Sequence, residues 1–223
     1  MSDARPANIT LAGGPAISGL WLNPDRPRAG YVLAHGAGAG MKHPFLAAVA
    51  SGLAGRGIAT LRYNFPYMER GSRRPDVPKV AQAAVRAAVA EAARLAPGLP
   101  LFAGGKSFGG RMSSQAQAAE ALPGVRGLAF LGFPLHPPGK PSDERAAHLA
   151  QVRLPMLFLQ GSRDEFAQLE WLEPLVKRLG ARATLRLFDA ADHSFHVAAR
   201  SGRKDSEVMT ELLDAAASWM AAQ

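Results

Sequence analysis

The sequence predicts an α/β fold in which a doubly wound, mostly parallel sheet carries helices on both faces. Short apolar runs alternate with Ala-rich stretches of helical period along most of the chain, which is typical of strand–helix repeats. Glycines and prolines stand singly between these segments and mark turns. The chain has 223 residues, 48% hydrophobic and 20% charged, which is the composition of a globular protein. We therefore expect residues 1–223 to form a single domain.

The amino-terminal segments are predicted to begin the sheet. Residues 8–12 and 16–22 flank Gly13-Gly14-Pro15, a turn sequence that predicts an antiparallel hairpin. Three further elements are predicted in order: a buried strand at residues 31–34, a helix at residues 44–54 and a strand at residues 58–63.

Residues 77–96 form the clearest predicted helix. Asp76 stands where an N-cap residue belongs, Pro78 fits the first helical turn, and Pro97-Gly98 ends the segment. Seven apolar residues recur at helical spacing and predict a stripe that faces the core. They are Val77, Ala81, Ala84, Val85, Ala88, Ala92 and Leu95.

The carboxyl-terminal half continues the alternation. The predicted strands are residues 101–104, 125–133, 155–160 and 183–188. The predicted helices are residues 108–121, 142–151 with Ser142 as the cap, 170–179 and 206–222. Because crossovers between parallel strands are right-handed, the loops at the carboxyl ends of the strands are expected to carry the functional site.

The composition excludes several classes of protein. The chain has 26 Lys and Arg against 18 Asp and Glu, but these basic residues are dispersed and aromatic content is 7%, so we expect a solvated basic surface and no nucleic-acid site. Without cysteine there is no disulfide, thiolate nucleophile or thiolate metal site. The sequence has neither a signal-peptide pattern nor an apolar run long enough to span a bilayer, so we expect a soluble cytoplasmic protein without a membrane partner.

One segment has the pattern of a nucleophile turn. Gly105-Lys106-Ser107-Phe108-Gly109, a G-x-S-x-G pattern, lies between a predicted strand and a predicted helix. A serine on so sharp a turn has strained backbone angles, and the flanking glycines remove Cβ atoms that would collide. The hydroxyl then projects above the sheet, where the start of a helix favours developing negative charge. We expect Ser107 to be a nucleophile; a glycine-rich turn without chemical use is the alternative.

Two phosphate-binding motifs fail on the same glycine-rich segments. A P-loop that ends at Gly105-Lys106-Ser107 requires glycine at position 100, where Pro100 stands. A dinucleotide fingerprint after the early strand requires glycine at position 41 or 43, where Met41 and His43 stand. The glycines therefore do not indicate a nucleotide cofactor.

A serine nucleophile needs a base, and the base needs an acid that orients it. His193 follows the last predicted strand, at the edge where Ser107 is expected, and His196 is the alternative base. Asp164 ends the turn after another predicted strand, with Glu165 beside it as the alternative acid. The three favoured residues therefore occur in the order Ser, Asp, His.

In this order the chain resembles the α/β-hydrolase superfamily over nearly its whole length, and it is most similar to small, lid-poor members related to dienelactone hydrolases. The matching segments are residues 35–40, 105–109, 161–164 and 192–195. It is also similar to an uncharacterised hydrolase-like group with the sequence Gly-Lys-Ser-Phe-Gly-Gly-Arg. True dienelactone hydrolases have cysteine where this chain has Ser107, so their activity is not implied.

The resemblance implies a serine hydrolase that cleaves a small ester-like substrate, a carboxylester or a thioester, through an acyl-enzyme intermediate without a metal or organic cofactor. It implies an oxyanion hole formed by the backbone N–H groups of Ala37 and Phe108. His35 is then expected to brace the oxyanion loop. A catalytically silent scaffold or binding protein on the same fold is the alternative.

Short loops predict an open pocket without a large cap domain. The longest irregular stretches are residues 64–76 and 134–141. Aromatic residues near predicted strand ends are expected to line the substrate pocket: Phe65, Tyr67, Phe133 and Phe195. If Arg70, Arg73 and Arg74 overhang that pocket, they favour anionic substrates.

Overall fold

Eight strands form one sheet in the computed structural model, which describes residues 3–223. The strands are β1 (Arg5–Ile9), β2 (Ile17–Leu22), β3 (Ala29–Ala34), β4 (Ile58–Tyr63), β5 (Leu101–Lys106), β6 (Val125–Leu131), β7 (Met156–Gly161) and β8 (Ala183–Phe188). They lie side by side in the order β1-β2-β4-β3-β5-β6-β7-β8. β2 pairs antiparallel with β1 and with β4, and all other neighbours are parallel. The predicted hairpin and mostly parallel sheet are confirmed.

Helices cover both faces of this sheet. They are α1 (Pro44–Ala54), α2 (Pro66–Glu69), α3 (Pro78–Leu95), α4 (Phe108–Ala119), α5 (Leu169–Leu179) and α6 (Asp205–Ala221). Short 3₁₀ helices occupy Glu144–Gln151, Gly180–Arg182 and Ala199–Ser201. Buried residues of α3, α4 and α5 belong to one apolar core, and those of α1 and α6 belong to a second core on the opposite face.

Strand β3 shows why the central strands are continuous apolar runs. All six of its residues are buried. Val32 and Ala34 point into the core beneath α3 and α4, whereas Tyr31 and Leu33 point into the core beneath α1 and α6. A strand that is covered on both faces has no position for an exposed polar side chain, so period-two alternation is lost.

The start of the clearest predicted helix needs correction. The helix begins at Pro78, Val77 is its N-cap residue, and Val77 is 65% exposed rather than part of the core stripe. Asp76 does not cap the helix, because its carboxylate accepts hydrogen bonds from the Tyr67 backbone N–H at 2.8 Å and from the Arg70 guanidinium at 2.5 Å. Asp76 therefore closes the preceding loop onto α2, a short helix that the sequence did not predict.

Residues 142–151 also differ from the prediction. The helix there is a 3₁₀ helix over Glu144–Gln151 instead of an α-helix. Ser142 does accept a hydrogen bond at its Oγ from the Glu144 backbone N–H, at 3.1 Å. No domain is inserted between the strands of the described chain, which confirms the absence of a large cap. Within residues 3–223, no helix is both long and apolar enough to cross a bilayer.

Candidate active site

Ser107 occupies the sharp turn between β5 and α4. Its backbone lies at φ 48° and ψ −113°, a region that residues with a Cβ atom rarely adopt. The glycines on either side allow this turn to approach β3. A Cβ atom on Gly105 would lie 2.1 Å from the carbonyl oxygen of Ala34, and one on Gly109 would lie 2.6 Å from the same oxygen. Side chains at these two positions would collide with backbone, so the G-x-S-x-G pattern is a steric requirement of the turn.

The structure brings His193 and Asp164 to the same edge as Ser107. His193 Nε2 lies 2.9 Å from Ser107 Oγ, and His193 Nδ1 lies 2.6 Å from Asp164 Oδ2. The three side chains come from the carboxyl ends of β5, β7 and β8, since parallel strands expose these ends at one edge. With its proton on Nδ1, the imidazole donates to the carboxylate and accepts from the serine hydroxyl.

Asp164 is held by more than His193. Its side chain is buried, the Phe166 backbone N–H donates to Oδ1 at 2.8 Å, and the Gln160 side-chain amide donates to Oδ2 at 2.5 Å. Gln160 in turn accepts a hydrogen bond from the Phe133 backbone N–H at 2.8 Å. Gln160 was not predicted from the sequence, although a polar residue at the end of an otherwise apolar strand is a signal for such a role.

The two alternative residues lie elsewhere. Glu165 is exposed, whereas its neighbour Asp164 makes the contact with the imidazole. His196 is also exposed, and its Nδ1 pairs with the carboxylate of Asp205 at the start of α6, at 2.8 Å. Hydrogen bonding to Asp205 raises the pKa of His196. Its partner is therefore a surface carboxylate rather than the serine.

The glycine-rich loop after β3, residues 36–40, is fixed by His35. His35 Nδ1 lies 2.7 Å from the Gly36 carbonyl oxygen, and its Nε2 accepts a hydrogen bond from the Phe65 backbone N–H at 3.1 Å. Ala37 of this loop lines the cavity beside Ser107. Phe108 is the first residue of α4, where backbone N–H groups have no acceptor within the helix.

A cavity of about 330 Å³ opens at this edge of the sheet. Its lining combines the glycine-rich loop after β3, the turn that carries Ser107, the start of α1 and the loops after β7 and β8. The lining residues are Gly36, Ala37, Ala39, His43, Phe45, Leu46, Lys106, Ser107, Phe166, His193 and Ser194. Most of its surface is apolar.

The predicted aromatic lining needs correction. Phe65, Tyr67 and Phe133 are fully buried in the core and lie outside the cavity lining. Phe195 is 3% exposed and stacks behind Phe45, with ring centroids 5.8 Å apart. Aromatic residues next to strand ends pack inward here because the loops fold over them.

The aromatic residues that do line the cavity are Phe45 and Phe166. Phe166 packs on the His193 ring, with centroids 4.3 Å apart. The sequence signals for them were their positions, just after the glycine-rich loop and two residues after Asp164. The arginines that were expected to favour anionic substrates are exposed and lie outside the cavity lining: Arg70, Arg73 and Arg74.

The sequence also matches a known protein family. The model of a family described as an alpha/beta hydrolase domain matches residues 27–221. The chain belongs to the alpha/beta hydrolase family. It is a small member of that family without a lid domain in its described part.

Solved structures of other alpha/beta hydrolases share the fold. An alpha-beta serine hydrolase homologue from Coxiella burnetii is 20% identical, with 96% of this chain and 98% of that chain covered and a TM-score of 0.77. A serine hydrolase without a lid from Xanthomonas campestris is 20% identical, with coverages of 98% and 96% and a TM-score of 0.76. A dienelactone hydrolase from Anabaena variabilis is 18% identical, with coverages of 98% and 97% and a TM-score of 0.76.

Two histidines of this alpha/beta hydrolase have unusually low pKa values. Burial lowers the pKa of His35 to about 4. Burial, together with the nearby Arg111, lowers the pKa of His148 to about 4. His148 Nε2 lies 2.8 Å from Ser114 Oγ on α4. Both histidines are therefore neutral in the folded protein at pH values where they are protonated in the unfolded chain.

This difference predicts that the folded state loses stability in mild acid. Between pH 6.5 and about 4 each of these histidines binds more protons in the unfolded chain than in the folded protein. The free energy of unfolding therefore falls as pH falls, by up to about 1.4 kcal/mol per pH unit for each histidine. We expect His148→Gln to reduce this slope by one histidine's share, as measured by urea unfolding from pH 7 to pH 4.5. Equal slopes for the variant and the unaltered protein would contradict the prediction.

Proposed function

We propose that this alpha/beta hydrolase is a serine hydrolase that cleaves a small ester-like substrate, a carboxylester or a thioester, through an acyl-enzyme intermediate. One observation carries the proposal: the His193 imidazole is hydrogen-bonded both to the Ser107 hydroxyl and to the buried Asp164 carboxylate, at the wall of a cavity. Nucleophile, base and orienting acid are the three groups that acyl transfer requires.

In the first step, His193 Nε2 accepts the proton of Ser107 while Oγ forms a bond to the substrate carbonyl carbon. The carbonyl oxygen becomes negatively charged and accepts hydrogen bonds from the backbone N–H groups of Ala37 and Phe108. Each preorganised donor lowers the barrier by about 3 kcal/mol, because it meets a charge that exists only near the transition state. His193 then protonates the leaving alcohol or thiol as its bond to the carbonyl carbon breaks.

In the second step, water repeats the sequence on the acyl-enzyme. His193 takes a proton from the water as the water oxygen attacks the acyl carbon, and the proton passes to Ser107 Oγ when the acyl bond breaks. Asp164 stabilises the imidazolium in both steps and keeps the productive tautomer. A cavity of about 330 Å³ with a mostly apolar lining suits a small acyl group.

A fluorophosphonate probe tests the proposal directly, since it reacts with an activated serine. We expect stoichiometric labelling that peptide mapping assigns to Ser107, together with turnover in a panel of short-chain activated esters, thioesters and amides. A silent scaffold would show neither labelling nor turnover in any of the three classes. Labelling at another serine would contradict the assignment of the nucleophile.

A further inference from the structure

Lys106, the residue before the proposed nucleophile, contacts the loop that carries His193. Its ammonium donates a hydrogen bond to the His193 carbonyl oxygen at 2.6 Å. The two residues are separated by 87 positions in sequence. The contact therefore joins the end of β5 to the loop after β8, across the edge of the sheet where the site lies.

The space for this contact depends on Gly132, which follows β6. Gly132 has φ +70°, and a Cβ atom there would lie 2.9 Å from Lys106 Nζ and 3.3 Å from both His193 Nδ1 and the His193 carbonyl oxygen. The ring of Phe195 closes another side, with its centroid 5.6 Å from Lys106 Nζ. Ammonium, carbonyl and imidazole thus share one narrow space above a residue without a side chain.

The hydrogen bond from Lys106 fixes the carbonyl end of a peptide group whose N–H, that of Ser194, donates to Asp192 Oδ1 within the same loop at 2.7 Å. Among the described residues, no backbone N–H donates to the His193 carbonyl oxygen. An earlier part of this loop is tied to the loop after the neighbouring strand β7, where the Arg163 backbone N–H donates to the Ala191 carbonyl oxygen at 2.9 Å. Lys106 ties the loop to β5, the strand that precedes Ser107.

The charge of Lys106 also acts on the imidazole. Within residues 3–223 the Lys106 ammonium forms no ion pair at 4.0 Å or less, and no Asp or Glu lines the cavity. Burial lowers the pKa of Lys106 to about 8, against the opposing effect of Asp164 and Asp192, so the side chain still carries most of its charge at neutral pH. The charged groups near the imidazole are then Asp164 on one side, Asp192 in its own loop and Lys106 below.

We propose that Lys106 is a positioning residue for the hydrolytic site, fastening the His193 loop to β5 so that the imidazole stays in line with Ser107 Oγ. This role rests on the proposed function. Serine attack requires the base within hydrogen-bond reach, and small displacements of a catalytic group lower rates strongly. The positive charge of Lys106 also lies beside the imidazole, so its removal is expected to favour the imidazolium.

The test compares Lys106→Met, which removes the donor and the charge, with Lys106→Arg, which retains both. We expect Lys106→Met to lower kcat on a short activated ester by about 10-fold to 100-fold with KM changed less than about 3-fold, because positioning is lost while the cavity remains. Its acid limb in the pH profile of kcat/KM should move to higher pH, and Lys106→Arg should restore much of both. Lys177→Met, which removes an exposed lysine of α5 outside the cavity, is the control for net charge.

A second readout does not depend on turnover. NMR titration of the His193 ring should show a higher pKa in Lys106→Met than in the unaltered protein. An unchanged His193 titration together with an unchanged kcat would overturn the positioning role, as would a change confined to KM, which would indicate a substrate contact. If the protein neither hydrolyses esters nor reacts with fluorophosphonate, the proposed function fails, and the titration still decides whether Lys106 acts on His193.

Discussion

Ser107→Ala is expected to lower kcat for ester hydrolysis by about 10⁶-fold, the scale of loss when the nucleophile of a serine–histidine–aspartate group is removed. The hydroxyl oxygen is the atom that forms the bond to the acyl carbon, and alanine leaves His193 Nε2 without a proton to accept. The fold should persist, because Ser107 Oγ bonds only His193 among the described residues. The measurement is steady-state turnover of a short activated ester, together with fluorophosphonate labelling.

Ser51→Ala serves as the matched control, since Ser51 lies on the exposed face of α1 and outside the cavity lining. It removes the same hydroxyl group from the chain and should leave turnover and labelling unchanged. If Ser107→Ala retained turnover within about tenfold of the unaltered protein, Ser107 would not be the nucleophile. Retained labelling with lost turnover would also contradict the assignment.

Asp164→Asn is expected to lower kcat by about 10⁴-fold while the protein stays folded. The amide is nearly isosteric with the carboxylate, so the loop after β7 can keep its shape. An asparagine amide that donates towards His193 Nδ1 favours the wrong tautomer, in which Nε2 carries the proton and cannot accept that of Ser107. The neutral amide also gives no stabilisation to the imidazolium.

Glu165→Gln removes the same charge one residue away and is the control for Asp164→Asn. Because Glu165 is exposed, its substitution should change kcat less than about 2-fold, in line with the small effects of most surface changes. A large loss in Glu165→Gln with little change in Asp164→Asn would reassign the acid. A comparable loss in both variants would point to the net charge of the loop instead of a specific contact.

Local patterns predicted most of the fold because strands and helices here are bounded by local signals. The predicted bounds of α1, β4 and β8 agree with the structure, since apolar runs and their flanking glycines and prolines are visible in the sequence. The prediction was wrong at Asp76 because a carboxylate before a helix can accept hydrogen bonds either from the start of that helix or from a neighbouring segment. At this position Asp76 accepts hydrogen bonds from Tyr67 of α2 and from Arg70, which follows α2, and not from the helix.

The candidate site likewise has residues that the sequence predicted and contacts that it could not predict. Ser107 was predictable because the strained turn imposes glycine on its neighbours, which leaves a pattern in the sequence. His193 and Asp164 were predicted from chain order and from their positions after strands. Their mutual contact, and the choice against Glu165 and His196, depends on side-chain directions that the sequence does not encode locally.

By itself, the sequence determined the order of strands and helices, the turn that exposes Ser107 and the edge of the sheet where polar loops meet, because each depends on residues close together in the chain. Only the tertiary structure decided which aromatic residues line the cavity and which are buried, because both kinds have the same composition. Only the tertiary structure brought Lys106 into contact with His193, and Gln160 into contact with Asp164. Such contacts depend on how distant strands pair and how their loops close, which no short segment specifies.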